Sequence, residues 1–251
     1  MYGWRGRVGL ISPSRGDTLI YEFCKMAPPG VVPVPASLGV QHLSKERLEA
    51  VLDRYETAVR EMVYEECDVI NLGGTPPVTS GQPGVEEQLL ERARAVADVP
   101  VFTHVQAEVE AMRHAGMSRV AVAAPYTHDL TAKFQAYFRT RGVNVIGAKS
   151  LGIDRNVDIA KLPVDASYRL ATEVYREHPE ADGVHLTCPR WATVVNLDRL
   201  EQDLGIPVTS SSQAVAFAAC WRLGIRDRIT GFGSLLEKLA TVPPFRHFKA
   251  E

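Results

Sequence analysis

Cys188 follows a short apolar run, Val184-His185-Leu186, in the string Thr187-Cys188-Pro189-Arg190. A thiol at the carboxyl end of a strand is a candidate proton donor. Its ordinary pKa of about 8.5 leaves it mostly protonated at neutral pH yet able to give up the proton in a reaction. Three other loops, each also following an apolar strand, carry hydroxyls or glycine: Pro13-Ser14, Gly74-Thr75-Pro76 and Pro125-Tyr126. In an open parallel α/β sheet a ligand binds in the crevice beyond the carboxyl ends of the strands, where these loops would stand. The remaining cysteines, Cys24, Cys67 and Cys220, fall in apolar patterns of helical spacing and are expected in the core. No CxxC pair and no metal-ligand spacing occurs, so neither a metal nor a cofactor is expected.

Other polar residues have competing readings. Arg15 and Arg190 could pair with a substrate carboxylate or be solvated loop charges. His185 lies inside a strand and reads as a satisfied interior histidine, whereas His104 starts a helix and could line a cleft. Ser210-Ser211-Ser212 can cap the following helix or present N–H groups to an anion. Gly73-Gly74 forms neither GxGxxG nor a P-loop, which argues against a nucleotide.

These loops need a frame of alternating strands and helices. Apolar runs at residues 8–11, 31–34, 69–72, 99–102, 120–126, 143–146, 184–186 and 206–208 read as strands. The prolines at 33 and 35 place the second at a sheet edge. Between them lie helical patterns. Ser44 is a candidate cap for a helix whose face carries Leu48, Val51, Leu52, Tyr55, Val59, Met62 and Val63. Further helices are expected at 85–96, at 105–114 before Gly116, and from Asp129 as cap to Gly142. Three more follow at 166–175, 197–204 and 214–223, with a helix start also expected near Arg190. Residues 73–77 read as a loop.

The second half repeats the first. Arg7-Val8 through Pro13-Ser14 matches Arg119-Val120 through Pro125-Tyr126, and Ser37-Leu38-Gly39 matches Ser150-Leu151-Gly152. Asp68 through Gly74 matches Asp182 through Cys188, and Val99-Pro100-Val101 matches Ile206-Pro207-Val208. Ordered matches at nearly one spacing, roughly 113 residues, indicate a duplicated unit. The expected fold is α/β: two pseudo-symmetric flavodoxin-like units, parallel sheets with helices on both faces, and a cleft between them. The units are expected at residues 1–116, with 213–251 packing back onto the first, and at 117–212. Gly74 and Cys188 then become pseudo-symmetry mates across one cleft.

On these residues the chain resembles the aspartate/glutamate racemase superfamily, in the branch that holds arylmalonate decarboxylase and maleate cis-trans isomerase. The resemblance also rests on Val208-Thr209-Ser210-Ser211-Ser212 and spans nearly the whole chain. Racemases and the isomerase of that superfamily use two cysteines, one per half, and the decarboxylase keeps only the second. Gly74 with Cys188 is similar to the decarboxylase arrangement. The resemblance implies Cys188 as proton donor, Thr75 and Tyr126 as carboxylate ligands, and Gly74, Pro13, Ser14, Pro76 and Pro189 as neighbours of the substrate. Two features depart from the pattern. Pro76 and Pro189 lack the backbone N–H that would serve the oxygens, and Asp154, Arg155, Asn156 and Asp158 make polar a region where the decarboxylase is apolar.

Composition narrows the partners. A net charge of −2 with no Lys/Arg cluster argues against nucleic acid and membrane surfaces. Free thiols suit a reducing cytoplasm, and no signal-peptide core or membrane span is evident. The expectation is a cofactor-independent decarboxylase acting on a malonate-type acid, possible as a homo-oligomer. The alternatives are a maleate isomerase, an amino-acid or hydantoin-type racemase, or a non-catalytic dicarboxylate-binding module.

Overall fold

The computed structural model describes residues 1–39, 48–79 and 83–246. The first sheet holds β1 (Gly6–Ser12), β2 (Val31–Ser37), β3 (Val69–Leu72) and β4 (Val101–Thr103) in the order β2-β1-β3-β4. The second holds β5 (Arg119–Tyr126), β6 (Asn144–Ile153), β7 (Gly183–Leu186) and β8 (Val208–Ser210) in the order β6-β5-β7-β8. Every strand pair is parallel. The duplication in sequence is therefore a duplication of topology. β3 and β7, inside their sheets, are buried along their whole length, as parallel strands covered on both faces must be. β2 lies at an edge, where Pro33 and Pro35 cost no ladder hydrogen bond.

The repeated Asp does the same work twice. Asp68 accepts from the Arg7 N–H at 2.8 Å, and its own N–H donates to the Arg7 carbonyl at 2.9 Å. Asp182 accepts from the Arg119 N–H at 2.7 Å and returns a 2.9 Å bond to the Arg119 carbonyl. Each pair fixes the start of an inner strand against its neighbour, which sets where the loop at the far end emerges.

The helices are α1 (Asp17–Met26), α2 (Leu48–Tyr64), α3 (Thr75–Thr79), α4 (Val85–Arg94), α5 (His104–Ala115), α6 (His128–Thr140), α7 (Asn156–Ile159), α8 (Ala166–Glu177), α9 (Leu197–Leu204), α10 (Ser211–Arg222) and α11 (Ser234–Glu237). α5 and α10 are equivalent, and each opens on a capping box. Thr103 pairs with Gln106, and Ser210 pairs with Gln213. The two helices pack against each other. α10 also touches α1 and β3, while α5 also touches β8. Each unit thus lends a helix to the other. α10 is buried from Ser211 through Cys220, so its apolar residues are not confined to one stripe. Side chains also tie the units. Glu86 of α4 accepts from Tyr137 Oη of α6 at 2.6 Å and pairs with Arg141 at 2.6 Å. Glu22 of α1 accepts from the Thr193 and Val194 N–H groups at 2.7 and 3.1 Å.

Several expectations need correction. Thr127, not Asp129, caps α6, since its Oγ1 accepts from the Leu130 N–H while Asp129 is exposed in the first turn. Residues 75–79 form a helical turn rather than a loop, with Pro76 in its first turn, where a missing N–H costs the helix nothing. No helix starts at Arg190, because Pro189 and Arg190 form a turn. Cys24 is exposed: α1 buries Leu19, Phe23 and Met26, and that spacing turns residue 24 to solvent. Cys67 is buried but lies between α2 and β3. Val63 is 40% exposed, off the buried face of α2. Ser44 lies outside the described residues.

Candidate active site

Cys188 emerges from β7 with φ +92°. An L-residue there is strained by about 1–3 kcal/mol, because its Cβ crowds the backbone. Its mate Gly74, after β3, has φ +98°, which glycine adopts freely. The two loops share one backbone turn, and only the second holds a side chain in it. The preceding residues are also equivalent. The Gly73 N–H donates to the Ile11 carbonyl at 2.6 Å and the Thr187 N–H to the Ala123 carbonyl at 3.1 Å. A Cβ on Gly73 would stand 2.3 Å from that Ile11 oxygen, so the tighter first loop requires glycine.

The Cys188 side chain is 1% exposed. Burial pushes the thiol up to about 12, against hydrogen bonds from the Tyr126 hydroxyl and the Arg190 N–H that favour the thiolate. Pro189 has no N–H, and the next residue along the turn provides one for the sulfur instead. Tyr126 ends β5 and stacks on Phe134 of α6 at 5.1 Å between ring centres. Burial and the neighbouring sulfur both raise its hydroxyl. Tyr126 and Cys188, from adjacent strands, therefore meet as a neutral hydroxyl and a neutral thiol.

Beneath them lies a residue that the sequence reading did not single out. Glu108 of α5 is fully buried, between the units. Its Oε1 accepts from Thr187 Oγ1 at 3.0 Å, from His185 Nε2 at 3.3 Å and from the Ser211 hydroxyl. Its Oε2 accepts from Thr75 Oγ1 at 3.4 Å. Ser211 Oγ in turn accepts the Cys188 N–H at 2.8 Å. Burial alone would raise the Glu108 carboxyl, but the hydrogen bonds from His185 and Ser211 outweigh it and hold it below its ordinary range. One sequence signal was available: Glu108 sits one helical turn after His104, among Val105, Ala107, Val109, Ala111 and Met112, where an unpaired charge would be costly.

His185 is an interior histidine with partners on both nitrogens, since Nδ1 lies 2.9 Å from Thr209 Oγ1. His104 is buried, and neither ring nitrogen has a protein partner among the described residues. Burial lowers its pKa, so it is a neutral ring. Ser210 caps α10, while Ser211 belongs to the site.

Thr75, Tyr126 and Cys188 are thus joined directly or through Glu108 and Ser211. The Pro13-Ser14 loop joins from the side: half-buried Ser14 accepts from Asn156 Nδ2 at 3.0 Å. Arg190 crosses from the second unit to Asp17 at 2.6 Å and to the Arg15 carbonyl. Its guanidinium side chain is 12% exposed, and its Nε is buried without a partner among the described residues. Arg15 is exposed. Pro189 is half-buried beside the sulfur's own residue. Among the described residues no cluster of His, Cys, Asp or Glu could hold a metal ion, and no helix is long and apolar enough to cross a membrane.

This frame is shared with known proteins. The maleate isomerase Iso of Pseudomonas putida S16 superposes with a TM-score of 0.84 at 24% identity, over 93% of this chain and 99% of that one. Unliganded arylmalonate decarboxylase superposes with a TM-score of 0.81 at 24% identity, over 93% and 99%. In sequence, the arylmalonate decarboxylase of Bordetella bronchiseptica is 26% identical over 208 residues, covering 82% of this chain and 86% of that protein. The maleate isomerase of Geobacillus stearothermophilus is 22% identical over 244 residues, covering 92% and 96%. The family model described as arylmalonate decarboxylase matches residues 8–236. On that match the chain belongs to the arylmalonate decarboxylase family, and it is an enzyme of the lyase or isomerase type.

Proposed function

We propose that the enzyme decarboxylates a malonate-type dicarboxylic acid without a cofactor, and that Cys188 protonates the resulting enediolate on one face. The observation that carries this reading is the asymmetry of the pseudo-symmetric pair. One strained position keeps a thiol, and its mate is glycine. Loss of CO2 leaves the electron pair of the broken C–C bond on the α-carbon, delocalised into the remaining carboxylate. Donors must stabilise both oxygens, and a neutral acid must then protonate the carbon. The buried thiol is such an acid. Thr75 and Tyr126 are the hydroxyls assigned to the oxygens, each turning its proton to the substrate from Glu108 or from the Cys188 sulfur, with Gly74, Pro189, Pro13 and Ser14 around them. Each turnover consumes one proton, which the Cys188 thiolate recovers from solvent. Asn156 reaches Ser14 Oγ at 3.0 Å and so brings the polar segment after Gly152 to the Ser14 loop, which favours a substrate with a polar remainder over a purely aromatic one.

The test is proton NMR in D2O with aryl-, alkyl- and polar-substituted malonates, maleate and amino acids, for wild type and Cys188→Ala. Deuterium-labelled monoacid from a malonate, lost in Cys188→Ala, supports the proposal. Conversion of maleate to fumarate would replace it with isomerisation, and α-proton exchange of an amino acid would replace it with racemisation. Ligand binding without turnover would leave a binding module. Turnover that survives in Cys188→Ala would remove the thiol from the chemistry.

A further inference from the structure

We infer that Glu108 is the positioning residue of the site, a side chain that ties the Thr75 loop of the first unit to the Thr187-Cys188 loop of the second. The inference rests on the assignment of Cys188 as the reacting thiol. Glu108 is carried by α5, at the seam where α5 meets α10. Its four hydrogen-bond donors come from four elements: Thr75 at the start of α3, His185 on β7, Thr187 in the loop after β7, and Ser211 at the start of α10. Through Ser211 it reaches the Cys188 N–H, and so holds the left-handed turn that presents the sulfur. A carboxylate has enough lone pairs to accept all four donors. A neutral amide has one oxygen and would turn its two N–H groups towards hydroxyls that are already donating.

The charge has a second effect. The titratable groups around Glu108 are His104 on its own helix, His185 on β7, Cys188, and Tyr126 on β5. A fixed negative charge raises both Cys188 and Tyr126, so it keeps them in the proton-donating form. The same charge repels an anionic substrate. Glu108 therefore favours proton delivery at the expense of ground-state binding.

The test is Glu108→Gln. The expected kinetic result is a fall in kcat of about 100-fold, the scale of a misplaced reacting group, with KM unchanged or lower because the repulsion is gone. The substrate-free readout is the modification rate of Cys188 by methyl methanethiosulfonate at pH 9, followed by peptide mass spectrometry. Loss of the charge lowers the thiol pKa, and one unit gives about tenfold faster reaction. Ser211→Ala separates the two effects. It cuts the link to the Cys188 N–H while keeping the charge, so kcat falls and the low pH 9 reactivity stays. Ser211→Ala also serves if the Glu108 variant does not fold. Unchanged kcat with unchanged Cys188 reactivity in Glu108→Gln would overturn the inference, as would a wild-type kcat in Ser211→Ala. Because the thiol readout needs no substrate, it stands even if the substrate class is wrong.

Discussion

At a residue with φ +92°, the usual ranking of alanine over glycine should reverse. Cys188→Ala keeps the Cβ and so keeps a backbone strain of about 1–3 kcal/mol. Cys188→Gly removes it. The glycine gives up one buried methyl, worth about 0.8 kcal/mol, and adds unfolded-chain entropy of about 0.5 kcal/mol. With the strain at the middle of its range, about 2 kcal/mol, the balance favours Cys188→Gly over Cys188→Ala by about 0.7 kcal/mol, which at this chain length is a few degrees in Tm at most. Cys220, in the middle of α10, is the control. There the helix disfavours glycine by about 1 kcal/mol and the lost methyl adds to it, so Cys220→Gly falls below Cys220→Ala. Urea and thermal unfolding of the four variants give the comparison, and both Cys188 variants should be inactive towards malonates. If glycine ranks below alanine at both positions, the strain at Cys188 is under about 1.3 kcal/mol, and the inference that a strained thiol is kept for chemistry fails.

Exposed Cys24 should be alkylated first by iodoacetamide at pH 8. Cys67, raised to about 11, and Cys188 and Cys220, each raised to about 12 by burial, should lag. Time-resolved peptide mapping checks the order, and Cys188 reacting before Cys24 would contradict its burial. Gly73→Ala should destabilise by about 3 kcal/mol, since its Cβ meets the Ile11 carbonyl at 2.3 Å and a backbone atom yields little; a loss under 1 kcal/mol in urea would mean that the loop relaxes freely. Burial raises the Glu22 carboxyl above its ordinary value despite the N–H groups of Thr193 and Val194. A raised folded-state pKa gives stability that is full below the ordinary carboxylate range and falls as pH rises through the raised value. Glu22→Gln should therefore match or exceed wild type at pH 8 and flatten that fall; a variant clearly weaker at pH 8, with an unchanged slope, would refute the sign.

The strands and the duplication could be read in the sequence because parallel, doubly covered strands are continuous apolar runs and because each repeat begins on the same Arg-Val or Asp pattern. Cys188 and Tyr126 could be read because they directly follow such runs. Glu22 and Glu86 could not, and Glu108 only through its apolar neighbours. Each is a carboxylate on a helix, and in sequence a helix carboxylate looks like a solvated face. What buries them is contact with the other unit, which local spacing does not encode. Cys24 was misplaced for a related reason: an apolar neighbourhood does not say which side of α1 faces the sheet. Residues 73–77 looked like a loop because Pro76 and Pro77 hid the start of a single helical turn, Thr75–Thr79, whose first residues need no N–H donors.

The bonds that build the site join distant parts of the chain. Ser211 and Glu108 are 103 residues apart, Thr193 and Glu22 are 171, and Arg190 and Asp17 are 173. Contacts of such separation form late, after the closure of long loops has been met by local structure. Each sheet can assemble on its own strands, but Cys188 and Ser211 gain Glu108 as a neighbour only once the halves have docked. In an emerging chain the same cysteine is an ordinary thiol, open to oxidation and alkylation. Docking of the two halves thus completes the surroundings of the thiol at the same time as it joins the loops of the candidate site.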